Sequence, residues 1–350
     1  MSDELKKIIN SNLCPISQDI IVDPVIADDG HTYDKFYIEE WVSKNNTSPI
    51  TRDVISNKFI DNTIYKSIIA RLIEIDEIFK NKYISMKKDL SSLNDLNIKR
   101  VVNLYFDNKD KCVLTYGPIE YWDVSRVTDM SFLFLDMENF DEDISEWDTT
   151  NVKDMTGMFK NAKKFNQPIG EWDVSNVKTM KGMFALTIDF NQPIGDWYTA
   201  SVTDMSHMFN GTKNFNKDIS GWDVSNVENL NAMFANTERF NKPLNRWNVS
   251  SVLTTMGMFS QAEAFNHPIN KWNVSNVTDM RLMFYRAIFN KPIGQWDVSK
   301  VKTINSMFYG SNFCQDISKW NLADLEDYET VFVGNRMTQV SKFMPKFIKS

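Results

Sequence analysis

WDVSNVKTMKGMFALTIDFNQPIGDW, residues 172–197, is a unit the chain repeats, and its reading decides the fold. Its two tryptophans belong to a series. Trp122, Trp147, Trp172, Trp197, Trp222, Trp247 and Trp272 stand 25 residues apart, and Trp296 and Trp320 follow at intervals of 24. Counted from each Trp, valines recur at +2 and +5, methionines at +8 and +11, phenylalanines at +12 and +18, asparagine at +19 and isoleucine at +22. A repeat of this period marks a solenoid or array. Apolar steps mostly of three fit neither a long helix nor a long strand, but do fit short extended pieces and tight turns coiling round one core. Each such side chain contributes about 1.5–3 kcal/mol when fully buried. One turn has too few neighbours to bury them, so the copies must stack.

Within the register, Asn166, Asn191, Asn216, Asn241, Asn266 and Asn290 at +19 read as a ladder whose amides satisfy backbone groups at the bend. The methionines read as core packing rather than a copper site. Thr255 takes a methionine position with Met256 beside it, which predicts a distorted turn there. Other columns vary. The residue before each Trp runs Glu146, Glu171, Asp196, Gly221, Arg246, Lys271, Gln295, Lys319, and the column five before Trp passes similarly from Glu142 to Lys217, Lys242 and Lys291. Such a bipolar face would recognise a partner of opposite polarity, gaining association rate and orientation more than affinity. Glu146, Glu171, Asp196, Arg246, Lys271 and Lys319 are therefore the candidate substrate-binding residues of the array.

A chain of 350 residues has room for two or three modules, and a net charge of -7 argues against a generic nucleic-acid binder. No apolar run reaches the ~20 residues of a membrane span. The start, MSDELKKIINSNL, lacks a secretory apolar region, and three isolated cysteines fit a reducing compartment. The expected location is cytoplasmic, in the host cytoplasm if the source is viral. With three histidines, Cys14, Cys112 and Cys314 make no zinc-ligand spacing. No metal or other cofactor is expected.

Residues 1–80 read as a separate mixed domain. Pro24 to Tyr33 carries Asp29-Gly30 between apolar residues, which predicts a two-residue hairpin turn with Gly30 at positive φ. Asp34 would cap a short helix with Tyr37, Ile38, Trp41 and Val42 as its apolar stripe. A second helix would begin near Asn62, with Ile64, Ile68, Leu72, Ile75 and Phe79 on one face. It either continues to about Leu90 as a stiff spacer or frays, making residues 81–97 a linker. Residues 98–117, with Val101, Val102, Leu104 and Tyr105 at helical spacing, would cap the array of 118–332, and 333–350 would close its other end.

The N-terminal motifs carry a family resemblance. Leu13-Cys14-Pro15-Ile16-Ser17, Asp23-Pro24-Val25, Asp29-Gly30-His31-Thr32-Tyr33, Ile38-Glu39-Glu40-Trp41 and Ser48-Pro49-Ile50-Thr51, in order and register over Asn12 to about Ile75, resemble a U-box. That resemblance implies a small RING-like domain that uses hydrogen bonds and salt bridges in place of zinc. It also implies a ligase that positions a ubiquitin-charged conjugating enzyme without a covalent ubiquitin intermediate. By motif match, Ile16, Trp41 and Pro49 would line the docking groove, and Gln18 occupies a position often apolar in the family. Arg52 stands where many members place a cation bridging conjugating enzyme and ubiquitin, a task suited to its multiple donors. Cys14 and His31 read as structural.

The repeat is similar to those of BspA-like surface proteins and mycoplasma lipoproteins, relatives of leucine-rich repeats, over about Tyr116 to Phe332. This resemblance implies a right-handed parallel β solenoid of about nine turns, a rod on the order of 40 Å long, with one short strand per turn around Pro-Ile-x-x-Trp. The whole is then α+β. The leading expectation is a ubiquitin-protein ligase whose array holds the protein to be modified, with a homodimer possible. The alternatives are a non-catalytic scaffold that sequesters conjugating enzyme, and a repeat adhesin.

Overall fold

The computed structural model describes residues 13–75 and 93–345. The chain divides after residue 92 into two compact units, each with its own hydrophobic core.

In the first unit, β1 (Pro24–Ile26) pairs antiparallel with both β2 (Thr32–Asp34) and β3 (Ile60–Asp61), in the order β2-β1-β3. The hairpin loop has three residues, not the expected two. Gly30 N–H donates to the Ala27 carbonyl at 2.9 Å and Ala27 N–H to His31 at 3.1 Å, with Gly30 at φ 76. Asp28 and Asp29 make the turn, and Gly30 supplies the left-handed residue that returns the chain to register. Asp34 caps α1 (Lys35–Lys44), accepting from Phe36 N–H at 3.0 Å. Asn62 likewise accepts from Tyr65 N–H at the start of α2 (Thr63–Ile75). The buried face of α2 differs from the expectation: Tyr65, Ile69 and Leu72 enter the core, whereas Ile64 is 76% and Ile68 36% exposed. The helix is apolar on two sides, so periodicity alone could not choose between them. Phe79 and the continuation toward Leu90 lie outside the described residues.

In the second unit, α3 (Ile98–Asp107) buries Ile98, Val101, Val102 and Tyr105 against the first copies, and α4 (Lys109–Tyr116) follows. Parallel bridges then run unbroken from Asp129 to Asp327, each joining a residue to its counterpart one copy on. They lie at +7, not around Pro-Ile-x-x-Trp. That stretch is a tight turn, in which Trp N–H donates to the Ile carbonyl three residues back. From +8 to +14 the N–H groups alternate. Met180, Gly182, Phe184 and Leu186 donate to the next copy, while Met183, Ala185 and Thr187 donate three residues back. The alternation places a left-handed residue at +10 and +14 of each copy, among them Gly182 and Leu186. At Gly157, φ is +57 and a Cβ would lie 2.6 Å from the Phe132 ring, so glycine answers both demands.

Inside, the phenylalanines at +12 stack from Phe134 to Phe332 with centroids 5.5–5.8 Å apart. Each +19 asparagine accepts, through Oδ1, the N–H of its counterpart one copy on, from Asn191 onto Asn166 through Cys314 onto Asn290. Asn241→Ala leaves the Asn266 N–H without this partner, and a loss of about 1–3 kcal/mol is expected by urea denaturation; an unchanged midpoint would contradict the ladder's role.

The Thr255 copy is not distorted. The bridges Asn229, Thr254, Asp279 continue, and buried Thr255 donates its hydroxyl to Met283 Sδ at 3.4 Å. The 24-residue copies lose one residue between +15 and +18, yet Phe289 still stacks on Phe265 and Phe313 at 6.1 and 6.3 Å. Beyond Trp320 the chain closes the core with Met337 and Met344.

Candidate functional site

The N-terminal unit presents two loops with the same backbone wiring. Each is pinned at its base by an antiparallel bridge, Leu13 with Ile20 and Thr47 with Val54. In the first, Cys14 N–H donates to Asp19 and Gln18 N–H to Cys14. In the second, Ser48 N–H donates to Asp53 and Arg52 N–H to Ser48. The segments CPISQDI (14–20) and SPITRDV (48–54) therefore superpose residue by residue. Gln18 and Arg52 fall on the same position, and both are left-handed, with φ 60 and 68. This backbone is unusual for side-chain-bearing residues and concentrates at functional sites.

Two buried carboxylates hold the loops. Asp34 accepts from the N–H groups of Val22 and Asp23 as well as Phe36, and its own N–H donates to Cys14 Sγ at 3.4 Å. Burial pushes the Asp34 carboxyl above its ordinary range, only partly offset by those three donors. Asp29 takes the Tyr33 hydroxyl at 2.6 Å and the Ser48 hydroxyl at 2.5 Å, while Ser48 Oγ accepts from Ile50 and Thr51 N–H. Burial alone would raise Asp29, but the hydrogen bonds from Ser48, Tyr33 and His31 outweigh it and hold the carboxyl below its usual range. Cys14 is fully buried, as a structural thiol should be.

The named residues sit as follows. Ile16 and Trp41 are half-buried and pack against one core. Trp41 Nε1 donates to the Thr47 carbonyl at 2.7 Å, tying α1 to the second loop just before half-buried Pro49. Gln18 is exposed, its amide folded onto the Pro15 carbonyl at 2.9 Å, and Arg52 is exposed. Sequence reading missed Ile50, 42% exposed at the position equivalent to Ile16, and Val54, 76% exposed. Laying one loop segment over the other would have found Ile50. The array columns are exposed at Glu146, Glu171, Asp196, Arg246, Lys271 and Lys319. Among the described residues no group of three or more His, Cys, Asp or Glu side chains could hold a metal ion, and no helix is long and apolar enough to cross a membrane.

A domain of paired loops on a three-stranded sheet, followed by a stacked repeat array, matches two known families. The chain belongs to the family described as mycoplasma protein of unknown function, DUF285, whose model matches residues 101–201, 185–288 and 246–343. The U-box domain model matches residues 8–77. The U-box region is 47% identical over 64 residues to a probable bifunctional E2/E3 enzyme of Acanthamoeba polyphaga mimivirus, covering 18% of this chain and 5% of that protein. It is 39% identical over 59 residues to U-box domain-containing protein 35 of Arabidopsis thaliana, covering 16% and 7%. A human protein with WD repeats, a SAM domain and a U-box is 41% identical over 64 residues, covering 18% and 13%. The chain thus spans a small part of the length of these relatives.

Proposed function

We propose that this protein is a ubiquitin-protein ligase. The U-box docks a ubiquitin-charged conjugating enzyme, and the array, a right-handed leucine-rich-repeat-like solenoid of about nine turns in an α+β chain, holds the protein to be modified. The observation that carries the reading is the pair of like-wired loops. They present Ile16 and Pro49, with Trp41 of α1 tied to the second loop and Arg52 left-handed and exposed three residues after Pro49. Such a ligase contributes positioning, not covalent chemistry. The Arg52 fork donates to two carbonyl acceptors at once and restrains the thioester for attack by a substrate lysine. The similarity to a relative named as an E2/E3 enzyme supports the same assignment. Three unpaired cysteines support a reducing, cytoplasmic setting.

A second reading, a scaffold that binds conjugating enzyme without promoting transfer, draws on Gln18, polar and folded onto its own loop. Incubation with ubiquitin, activating enzyme and a panel of conjugating enzymes separates the two. The ligase reading expects ubiquitin chains that Ile16→Ala removes and that Arg52→Ala slows by about 10²-fold. No chains with any partner would favour the scaffold.

A further inference from the structure

The array's exposed charges follow a pattern that the fold does not require. Each indole is buried, and the residues immediately before and after it are exposed. The residue five before Trp is half-buried, and at Lys242 it lies near the same neighbour, Asp218, as does Arg246 just before Trp247. Asp218 is held low, first by its hydrogen bonds to Ser220 and further by Lys242 and Arg246 of the next copy. On this face Asp and Asn do the same structural work. Asp173 and Asp223 accept from Ser175 and Ser225 N–H at 2.9 Å, and Asn248 and Asn273 do so from Ser250 and Ser275 at 3.2 Å. The Asn ladder also begins on Asp141, which accepts from Asn166 N–H at 2.9 Å. Geometry accepts either residue, so the choice of charge is free of the fold. It is not scattered. Asp141 to Asp148 contains five acids and no cation, whereas Asn241 to Asn248 contains Lys242 and Arg246 and no acid.

We infer that this face pairs with the same face of a second copy of the chain, turned end for end about a two-fold axis running between the Trp197 and Trp222 turns. In that register Glu146 meets Lys271, Glu171 meets Arg246, and Asp196 meets Gly221. After each Trp, Asp148 meets Asn273, Asp173 meets Asn248 and Asp223 meets Tyr198, so each of the three acids in the neighbouring column faces a neutral side chain. The column five before Trp sets Glu142, which Lys109 of its own chain already pairs at 2.7 Å, against His267. It sets the glutamines 167 and 192, whose amides donate to the preceding copy, against Lys242 and Lys217. No like charges oppose across these six copies. The register is also single-valued. One copy's shift in one direction sets Asp196 against itself and Asp173 against Asp223, and in the other direction Lys217 against itself. Like charges placed face to face suppress both alternatives. Beside the axis stands Tyr198, 65% exposed where neighbouring copies carry Asp or Asn. An aromatic anchor at the centre of a polar face is where interface energy concentrates. The partner of opposite polarity that the columns call for is then the chain itself, and substrate is left to the rest of the array.

Sedimentation of the full-length protein tests this between roughly 0.01 M and roughly 1 M salt, over which screening shortens from ~30 Å to ~3 Å. A dimer at low salt that dissociates at high salt is expected. Arg246→Glu with Lys271→Glu should weaken it by at least about tenfold, as should Glu146→Lys with Glu171→Lys, without moving thermal unfolding. Mixing the two double variants should restore the dimer. In a Cys314→Ser background, Glu171→Cys mixed with Arg246→Cys should form a disulfide between chains on oxidation, and Glu171→Cys with Lys319→Cys should not. A monomer at low salt, or double variants that dimerise as the parent does, would overturn the inference. A monomer that binds polyglutamate through Arg246 and Lys271 would assign the face to an acidic polypeptide instead.

Discussion

Trp222→Ala is expected to cost about 3–5 kcal/mol and to divide the array into two parts that unfold separately. The indole is 3% exposed and stacks on Trp197 at 6.2 Å and Trp247 at 6.5 Å. Its Nε1 donates to the carbonyl of Ile194, 28 residues back, at 2.8 Å. Truncation therefore removes core volume from three adjacent copies and leaves a buried carbonyl without its donor. Trp320 makes the same hydrogen bond, to Ile293 at 3.1 Å, but has a stacked Trp on one side only, Trp296 at 6.5 Å. Trp320→Ala should fray the end while the rest melts as one unit. Urea denaturation followed by hydrogen exchange separates the cases. Equal losses and a single shared transition for both variants would refute a nearest-neighbour stack.

The second large effect is expected at Asp29, which touches no partner in the proposed mechanism. Asp29→Ala leaves the Tyr33 hydroxyl and the buried Ser48 hydroxyl without their acceptor, at a cost of about 2–5 kcal/mol. A domain this small has little stability in reserve, so the loss should release the second loop or unfold the unit. Ubiquitin-chain formation should disappear with it. The array has its own core and should keep its transition unchanged. Hydrogen exchange over residues 13–75 and 93–345 reads both at once. Chains formed at the parental rate would show that the second loop does not need its anchor.

How much was legible in the residues follows from which interactions repeat. The Trp, Phe and Asn columns could be read because each meets its own counterpart one copy away, so contact and period are the same number. The left-handed positions at +10 and +14 were not read. Gly157, Gly182 and Gly211 mark some of them, but His207, Leu282 and Arg286 occupy others, where hydrogen bonding between copies overrides local preference. The parallel pairing was misplaced for a related reason: the extended residues at +7 are polar, and an apolar pattern points away from them. In the first unit, the cap at Asp34 was legible because capping is local. The burial of Tyr65 rather than Ile64 was not, because it depends on the sheet beneath the helix.

The 24-residue copies have a consequence for how such a molecule changes over generations. One residue disappears from the corner between +15 and +18, and neither the ring stack nor the amide ladder notices. That corner is where foreign sequence can enter or leave at little cost. Since the ring stack, the amide ladder and the parallel bridges link equivalents in adjacent copies, a duplicated copy arrives with its partners already in place. Reach can therefore be lengthened or trimmed by whole copies. A duplication inside the charged stretch, however, would move the point about which its two halves mirror each other, and so change the company the protein keeps without altering its fold.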